Sequence, residues 1–284
     1  MPFRFDWDGH VHSGLCPHGS GHSTDEFIEQ ALIEGFDRVS ILEHYPLPLD
    51  FPWPETSRPV CFGPDMFEPF LEQTLALREE YKSEIDVLVG FEWDFIPGRE
   101  KWLIEQLDKV GPRVQDGILS VHYVMDCIID EAADIFTRDV LPKVGGNIET
   151  AYEVYYRTLL DAVRADLGLH KPPRLGHVNL IRRFQEAIPA PNDYRGEIMA
   201  VVNEASKRGM QLDFNMSGLR KPRCQEPYLP QWLIESIARG EPDIMCVFGS
   251  DAHAPDEVGW GLNVAEEMVA IASRIGVARK LEGR

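Results

Sequence analysis

The sequence predicts an α/β fold in which one parallel sheet closes into a barrel, and three observations predict it. Seven short β-rich runs alternate with stretches of helical periodicity, which implies parallel strands joined by right-handed crossovers. Each run stops at a polar side chain able to bind a metal or a substrate. Seven of the nine histidines (His10, His12, His18, His44, His122, His177 and His253) lie at or just past those stops, together with Glu92 and Asp251. A closed barrel brings every C-terminal strand end to one mouth, whereas an open doubly wound sheet gathers only those near its switch point.

The first strand is reached through the apolar run Met1 to Trp7 and ends in Asp8-Gly9-His10-Val11-His12. Alternate residues of an extended chain share a face, so His10 and His12 can converge on one ion. A loop rich in Gly, Ser and His follows, and Ser23-Thr24-Asp25-Glu26 reads as a capping box that opens a helix over 24–34, stopped by Gly35. Arg38 to Leu42 is the second strand and runs into Glu43-His44. Pro46, Pro48, Pro52, Pro54, Pro59 and Pro64 exclude regular structure from 45–64, leaving either a lid or a rigid loop packed by Phe51 and Trp53.

A helix from about Pro64 to Lys82 leads to Ile85–Phe91, a strand apolar enough to be buried on both faces, which ends at Glu92. A helix over Arg99 to Val110 precedes the strand Gly117–Val121, which ends at His122. Residues 123–146 are a long acidic excursion, and Ile148 to Leu167 carries a strong helical period. Arg174 to Gly176 is a very short strand ending at His177; helices follow at about 179–187 and 192–209. Gln211 to Phe214 ends at Asn215, Met245 to Gly249 ends in Ser250-Asp251-Ala252-His253, and a last helix covers roughly 261–274. No repeat or linker divides the chain, so residues 1–284 read as one domain.

Composition narrows the partners. With 28 basic against 47 acidic side chains the net charge is −19, so the surface repels polyanions and a nucleic-acid partner is disfavoured. The five cysteines have no CxxC spacing, and their odd number suits a reducing cytoplasm and burial as small apolar groups. Cys16, between His12 and His18, is either a loop cysteine or a contact of the metals. No basic leader precedes an apolar core and no apolar stretch is long enough to span a bilayer, so a soluble cytoplasmic protein with no membrane partner is expected, as a monomer or homodimer.

Nine ligands are too many for one ion, so two or three divalent metals are implied. Imidazole-rich ligation with few carboxylates favours Zn, Fe or Mn over Mg or Ca. Such a cluster lowers the pKa of a bridging water and neutralises phosphoryl oxygens, so hydrolysis of a small-molecule phosphate ester fits best. Amide or lactam hydrolysis is the chemical rival, against which no Lys stands at a strand end to carry a bridging carbamate. Asn215-Met216-Ser217-Gly218-Leu219-Arg220-Lys221 adds amide, hydroxyl and two cations after the sixth strand.

The motifs Asp8-Gly9-His10-Val11-His12, Cys16-Pro17-His18-Gly19, Glu43-His44-Tyr45-Pro46-Leu47-Pro48, Gly90-Phe91-Glu92, Ser120-Val121-His122, Gly176-His177, the 215–220 loop and Gly249-Ser250-Asp251-Ala252-His253 together resemble the PHP (polymerase and histidinol phosphatase) family. Within it the match is closest to the monofunctional histidinol-phosphate phosphatases. The resemblance spans about residues 8–260 and implies a distorted (β/α)7 barrel with a trinuclear site. It further implies that His10, His12, Glu92 and Asp251 hold a first metal, that Glu92 bridges to a second held by His122 and His177, and that His18, His44 and His253 hold a third. The implied reaction is cleavage of L-histidinol phosphate by a bridging hydroxide, with Asn215, Ser217 and Arg220 near the substrate, and with Asp251 or His253 as proton donor to the leaving alkoxide. Two rivals differ in class. For a PHP phosphoesterase acting on nucleotides or single-stranded DNA ends, the net charge argues against a polyanionic substrate and leaves a free nucleotide open; a non-catalytic metal-binding module should have lost ligands that are all present here.

Overall fold

The computed structural model describes residues 2–52, 61, 63 and 65–282, of which 276–282 as backbone only. In chain order the elements are β1 (Phe3–Arg4), β2 (Trp7–His12), α1 (Thr24–Ile33), β3 (Arg38–His44), α2 (Phe67–Tyr81), β4 (Asp86–Asp94), α3 (Glu100–Val110) and β5 (Asp116–Ser120). The hairpin β6 (Tyr123–Val124) and β7 (Cys127–Ile128) follows, then α4 (Ala133–Ile135), a π-helical turn at Phe136–Val140, α5 (Leu141–Lys143), α6 (Ile148–Arg164) and β8 (Arg174–Leu175). The chain closes with α7 (Arg195–Lys207), β9 (Gln211–Asn215), α8 (Ser217–Arg220), α9 (Gln231–Ala238), β10 (Cys246–Gly249) and α10 (Leu262–Glu282).

Eight parallel strands form one curled sheet in the order β1-β10-β9-β8-β5-β4-β3-β2, so both edges belong to the same stretch of chain. The run expected as one strand from Met1 bends instead: Phe3 and Arg4 pair with Cys246 and Val247 of β10, while β2 pairs with β3. Counted as one bent strand, β1 and β2 make the strands seven. The ring is tied above the bend as well, where the Asp251 amide donates to the His10 carbonyl at 2.7 Å and the His12 amide to the Ala252 carbonyl at 2.9 Å. Helices cover the outside, and the surrounding layer is a distorted (β/α) barrel.

A bulge between Asp8 and Val11 re-aims the end of β2. Gly9 stands in it because a Cβ there would lie 2.6 Å from Val247 Cγ1 and 3.2 Å from the Arg174 guanidinium carbon. Arg174 is wholly buried and plugs the barrel below the histidines. Its Nη2 donates to the Gly9 carbonyl at 2.7 Å and to Asp116 Oδ2 at 2.5 Å, and its guanidinium stacks 4.8 Å from the Trp7 ring. Ser40 Oγ donates to the same Asp116 oxygen and accepts from Trp7 Nε1, so β2, β3, β5 and β8 share one polar knot.

Ser23 opens α1 as expected: its amide and hydroxyl both donate to Glu26 Oε2, at 2.8 and 2.9 Å. Gly35 stops the helix in the left-handed region at φ +84°. Asn147 caps α6 by accepting from the Glu149 amide, and the face Ala151, Tyr152, Tyr155, Leu159, Ala162 and Val163 is buried. Residues 179–187 form only a 3₁₀ turn at Leu180–Phe184, and α9, which the sequence reading passed over, repeats Leu233, Ile234 and Ile237 on its buried side. The excursion 123–146 is structured throughout its first half. A satellite core joins its Tyr123, Ile128 and Ile135 to Leu47, Phe51 and Cys61 of the proline-rich loop, so the described part of that loop is packed; Trp53, Pro54, Pro59 and Pro64 lie outside the described residues. All five cysteines are buried thiols. Among the described residues no helix is long and apolar enough to cross a membrane.

Removing one partner of a buried ion pair strands the other in low dielectric. Arg174→Met should therefore cost about 3–5 kcal/mol of stability, read as a lowered urea midpoint; a shift under about 1 kcal/mol would show that the knot is not needed to hold the four strands.

Candidate metal centre

Glu92 sits at the middle of the barrel mouth. Its Oε1 accepts from Ser120 Oγ at 2.6 Å and lies 2.9 Å from His177 Nε2 and 3.5 Å from His122 Nε2. Its Oε2 lies 3.2 Å from His44 Nδ1, 3.4 Å from His10 Nε2 and 3.6 Å from His12 Nε2. One carboxylate thus stands within reach of five imidazoles from four strands and the turns beyond them. Asp251 Oδ1 approaches His12 Nε2 at 3.4 Å and His10 Nε2 at 3.7 Å, closing a group of four on that side. On the other side His122 and His177 face each other at 3.2 Å. Above both, His18 Nε2 lies 2.8 Å from His253 Nε2, and His44 falls in one candidate cation group with His12 and His253. Cys16 joins this third group, its sulfur 3.7 Å from His18 Nδ1.

All nine expected ligands therefore meet in one cluster, and all but the fully buried His10 and His12 line one cavity. β4 runs two residues past Glu92 to Asp94, and His122 stands two residues beyond the last paired residue of β5. Those extensions bring in side chains the sequence reading missed. His122 Nδ1 lies 2.9 Å from Asp94 Oδ1, and His10 Nδ1 lies 2.8 Å from Asp213 Oδ2. An ionised carboxylate only accepts, so each Nδ1 carries the proton and each Nε2 turns its lone pair toward the cluster. The Asp251 carbonyl does the same for His253 Nδ1 at 3.1 Å. The signal for Asp94 was present: two residues after Glu92 on one strand, it shares that strand face. Asp213 stands in the same relation to Asn215.

The buried donor set fits divalent cations. His10 Nε2, both nitrogens of His12 and of His44, and Glu43 Oε2 have no hydrogen-bond partner, although buried polar atoms ordinarily find one. Imidazoles with shared carboxylates are the ligand chemistry of borderline metals. Charge balance points the same way. Burial disfavours the charged form of His10, yet Glu92, Asp213 and Asp251 outweigh it and raise its pKa to about 10. His122, buried against Asp94 and Glu92, is likewise raised to about 10. Around His44 and His253 burial and the neighbouring His12 prevail, and both are held well below the ordinary imidazole range, with lone pairs available. Cations bound there would balance the buried carboxylates in place of those protons.

The residues expected near the substrate divide. Ser217 lines the cavity and its Oγ donates to Asp251 Oδ2 at 2.9 Å. Asn215 and Arg220 stand behind the cluster instead. Asn215 is wholly buried, its Nδ2 on Asp213 Oδ2 at 3.0 Å and Asp251 Oδ2 at 3.3 Å. Arg220 is drawn away by unpaired carbonyls at the sharp end of β10: its Nη1 donates to the Ser250 carbonyl at 2.8 Å, and its Nη2 to the Asp251 carbonyl at 3.0 Å and to Glu257. Asp251 holds a left-handed φ of +54°, a conformation that costs a non-glycine residue about 1 kcal/mol or more, and Arg220 straps it there. Among the described residues, the cations that do line the cavity are Lys221 and Arg183.

A family model described as the PHP domain matches residues 8–217, most of the chain. This chain belongs to the PHP family. It is 34% identical to histidinol-phosphatase from Bacillus subtilis over 257 residues, which cover 89% of this chain and 95% of that protein. Among solved structures it is similar to a protein assigned as a histidinol phosphatase from Listeria monocytogenes, with TM-score 0.84 and 30% identity over 91% of this chain and 99% of the other. It shares its fold with the histidinol phosphate phosphatase of Lactococcus lactis, solved with zinc, L-histidinol and phosphate, at TM-score 0.70 and 17% identity over 94% and 93% of the two chains. The PHP barrel is the fold described above, with the bent first strand closing the ring.

Because Asp213 fixes the tautomer of His10, Asp213→Asn should weaken metal retention about 10–100-fold in competition with a chelator while leaving the fold intact. An unchanged affinity would show that His10 needs no orienting carboxylate.

Proposed function

We propose that this chain is a metal-dependent phosphomonoesterase that hydrolyses L-histidinol phosphate to L-histidinol and phosphate, a step of histidine biosynthesis. The observation that carries the reading is the meeting of nine imidazole and carboxylate ligands in one cluster, seven of them lining one cavity, in a chain that matches a histidinol-phosphatase over almost its whole length. We assign two to three divalent ions, Zn, Fe or Mn. His10, His12, Glu92 and Asp251 would hold the first, Glu92 with His122 and His177 the second, and His18, His44 and His253 the third. Cys16, beside His18, is the one thiol among these donors.

When bound, such ions turn water into a nucleophile near neutral pH and neutralise phosphoryl oxygens. The chain's own groups supply the rest. Ser217 Oγ holds Asp251 Oδ2 at 2.9 Å, and Arg220 fixes the backbone of the same residue, so both act as positioning residues for Asp251. Lys221 and Arg183 on the cavity wall place positive charge where a phosphate dianion would enter. Asp251 and His253 remain our assignment for passing a proton to the departing alkoxide. The neighbouring histidines overcome burial and hold Asp251 well below the usual carboxylate range, and burial with His12 holds His253 low, so the proton passed to the alkoxide is the one that the attacking water gives up. The 620 Å³ cavity has room for a phosphorylated amino alcohol and a little solvent.

Phosphate release by protein supplied with Mn or Zn should favour L-histidinol phosphate over a nucleoside monophosphate and an aryl phosphate by a hundredfold or more in kcat/KM, about 2.7 kcal/mol of differential transition-state binding. Weak, even activity on all three would keep a metallophosphoesterase and discard the histidinol assignment.

A further inference from the structure

The excursion 123–146 supplies none of the nine expected ligands, yet it reaches the same cavity. The Ile129 amide donates to the His122 carbonyl at 3.0 Å, which anchors the chain leaving β7 directly beside a cluster residue. The next two residues, Asp130 and Glu131, line the cavity. Asp130 Oδ1 and Glu131 Oε2 are buried and have no hydrogen-bond partner. Two carboxylate oxygens shielded from water without a donor are expensive, and an incoming cation removes the cost. A third group points to the same ligand space. Tyr228 is 1% exposed, lines the cavity, and its hydroxyl too is buried without a partner.

The cavity wall therefore carries charge of both signs. Lys221 and Arg183 contribute positive charge and Ser217 a hydroxyl, while Asp130 and Glu131 contribute negative charge. A simple phosphate monoester uses only the cations and the hydroxyl. An ester whose alcohol carries an ammonium or imidazolium also uses the carboxylates.

We propose that Asp130 and Glu131, with the Tyr228 hydroxyl, form an anionic subsite that binds the cationic amino-alcohol half of the substrate and sets the specificity of the phosphatase. This rests on the functional reading above and names the residues that deliver it. The subsite leaves the phosphoryl end to the cluster, so it discriminates between esters without changing the chemistry of hydrolysis. The sequence 128–132, Ile-Ile-Asp-Glu-Ala, then has a use: Ile128 packs against the proline-rich loop, and the two carboxylates follow where the chain turns into α4.

The test is the Mn-loaded protein and its Asp130→Asn, Glu131→Gln, doubly substituted and Tyr228→Phe variants, with kcat and KM measured on L-histidinol phosphate, phosphoethanolamine and p-nitrophenyl phosphate. Binding of L-histidinol alone is followed by calorimetry. The doubly substituted protein should lose about 30-fold or more on L-histidinol phosphate, mainly in KM, and bind L-histidinol correspondingly less well, as expected for loss of a buried charge partner. Its activity on p-nitrophenyl phosphate should stay within about threefold, which also shows that the fold and the metals are intact. A loss shared by phosphoethanolamine places the ammonium in the subsite; a loss confined to L-histidinol phosphate places the imidazolium there. Equal losses on all three esters overturn the proposal, since they mean the carboxylates support the fold or the cluster. A wild-type preference for L-histidinol phosphate that the variants leave untouched overturns the subsite alone, whereas a wild type with no such preference overturns the functional reading and the subsite with it.

Discussion

A single buried carboxylate governs the arrangement of this barrel's mouth. Glu92 lies between 2.9 and 3.6 Å from nitrogens of five histidines, and no other side chain described here draws together so many strand ends. An ionised group this deep is tolerable only where positive charge or donors surround it. Burial would raise the Glu92 pKa, but His10, His122 and His44 hold it well below its ordinary value. The imidazoles in turn are crowded, two pairs lying nitrogen to nitrogen within 3.2 Å, an arrangement that needs cations as much as the carboxylate does. Metal, histidines and Glu92 are thus three parts of one charge balance.

The rest of the fold works to keep that balance in place. The polar knot of Trp7, Ser40, Asp116 and Arg174 fixes the lower barrel, so the strand ends above it start from set positions. Gly9 lets β2 bulge past Arg174, and His10 and His12 reach the mouth from that bend. Asp94 and Asp213 then turn the rings, and Arg220 holds Asp251 in a backbone conformation it would not adopt freely. Each device acts one step behind the residues that would meet the metals. This explains why Asn215 and Arg220, polar and in a conspicuous motif, prove to be supports of the site.

Much of this was legible in the sequence because the period of a strand and the placement of its last residue are local. Val87, Val89 and Phe91 announce a strand, and Glu92 follows at its end whatever the rest of the chain does. The capping box at Ser23 and the stop at Gly35 are local in the same sense. What was not legible depends on contacts distant in sequence. The bend that assigns Phe3 to one neighbouring strand and Trp7 to another is decided by pairing partners more than 200 residues away in one case and about 30 in the other. Asp213 pairs with His10 across 203 positions, and Arg220 is claimed by carbonyls that are free only because β10 ends at Gly249. The 123–146 stretch was opaque for another reason: its short hairpin divides its side chains, Tyr123 and Ile128 packing with Leu47, Phe51 and Cys61 of a loop with no period of its own, and Val124 and Cys127 with the main core.

The central claim is that Glu92 unites the metals, and metal content of the purified protein beside a Glu92→Gln variant tests it most directly. The wild type should hold two to three ions per chain, and the variant, with a neutral side chain of the same shape, should lose at least one ion and about a hundredfold or more of its phosphatase activity while its circular dichroism is unchanged. A Glu92→Gln protein that keeps every ion and its full activity would contradict the account.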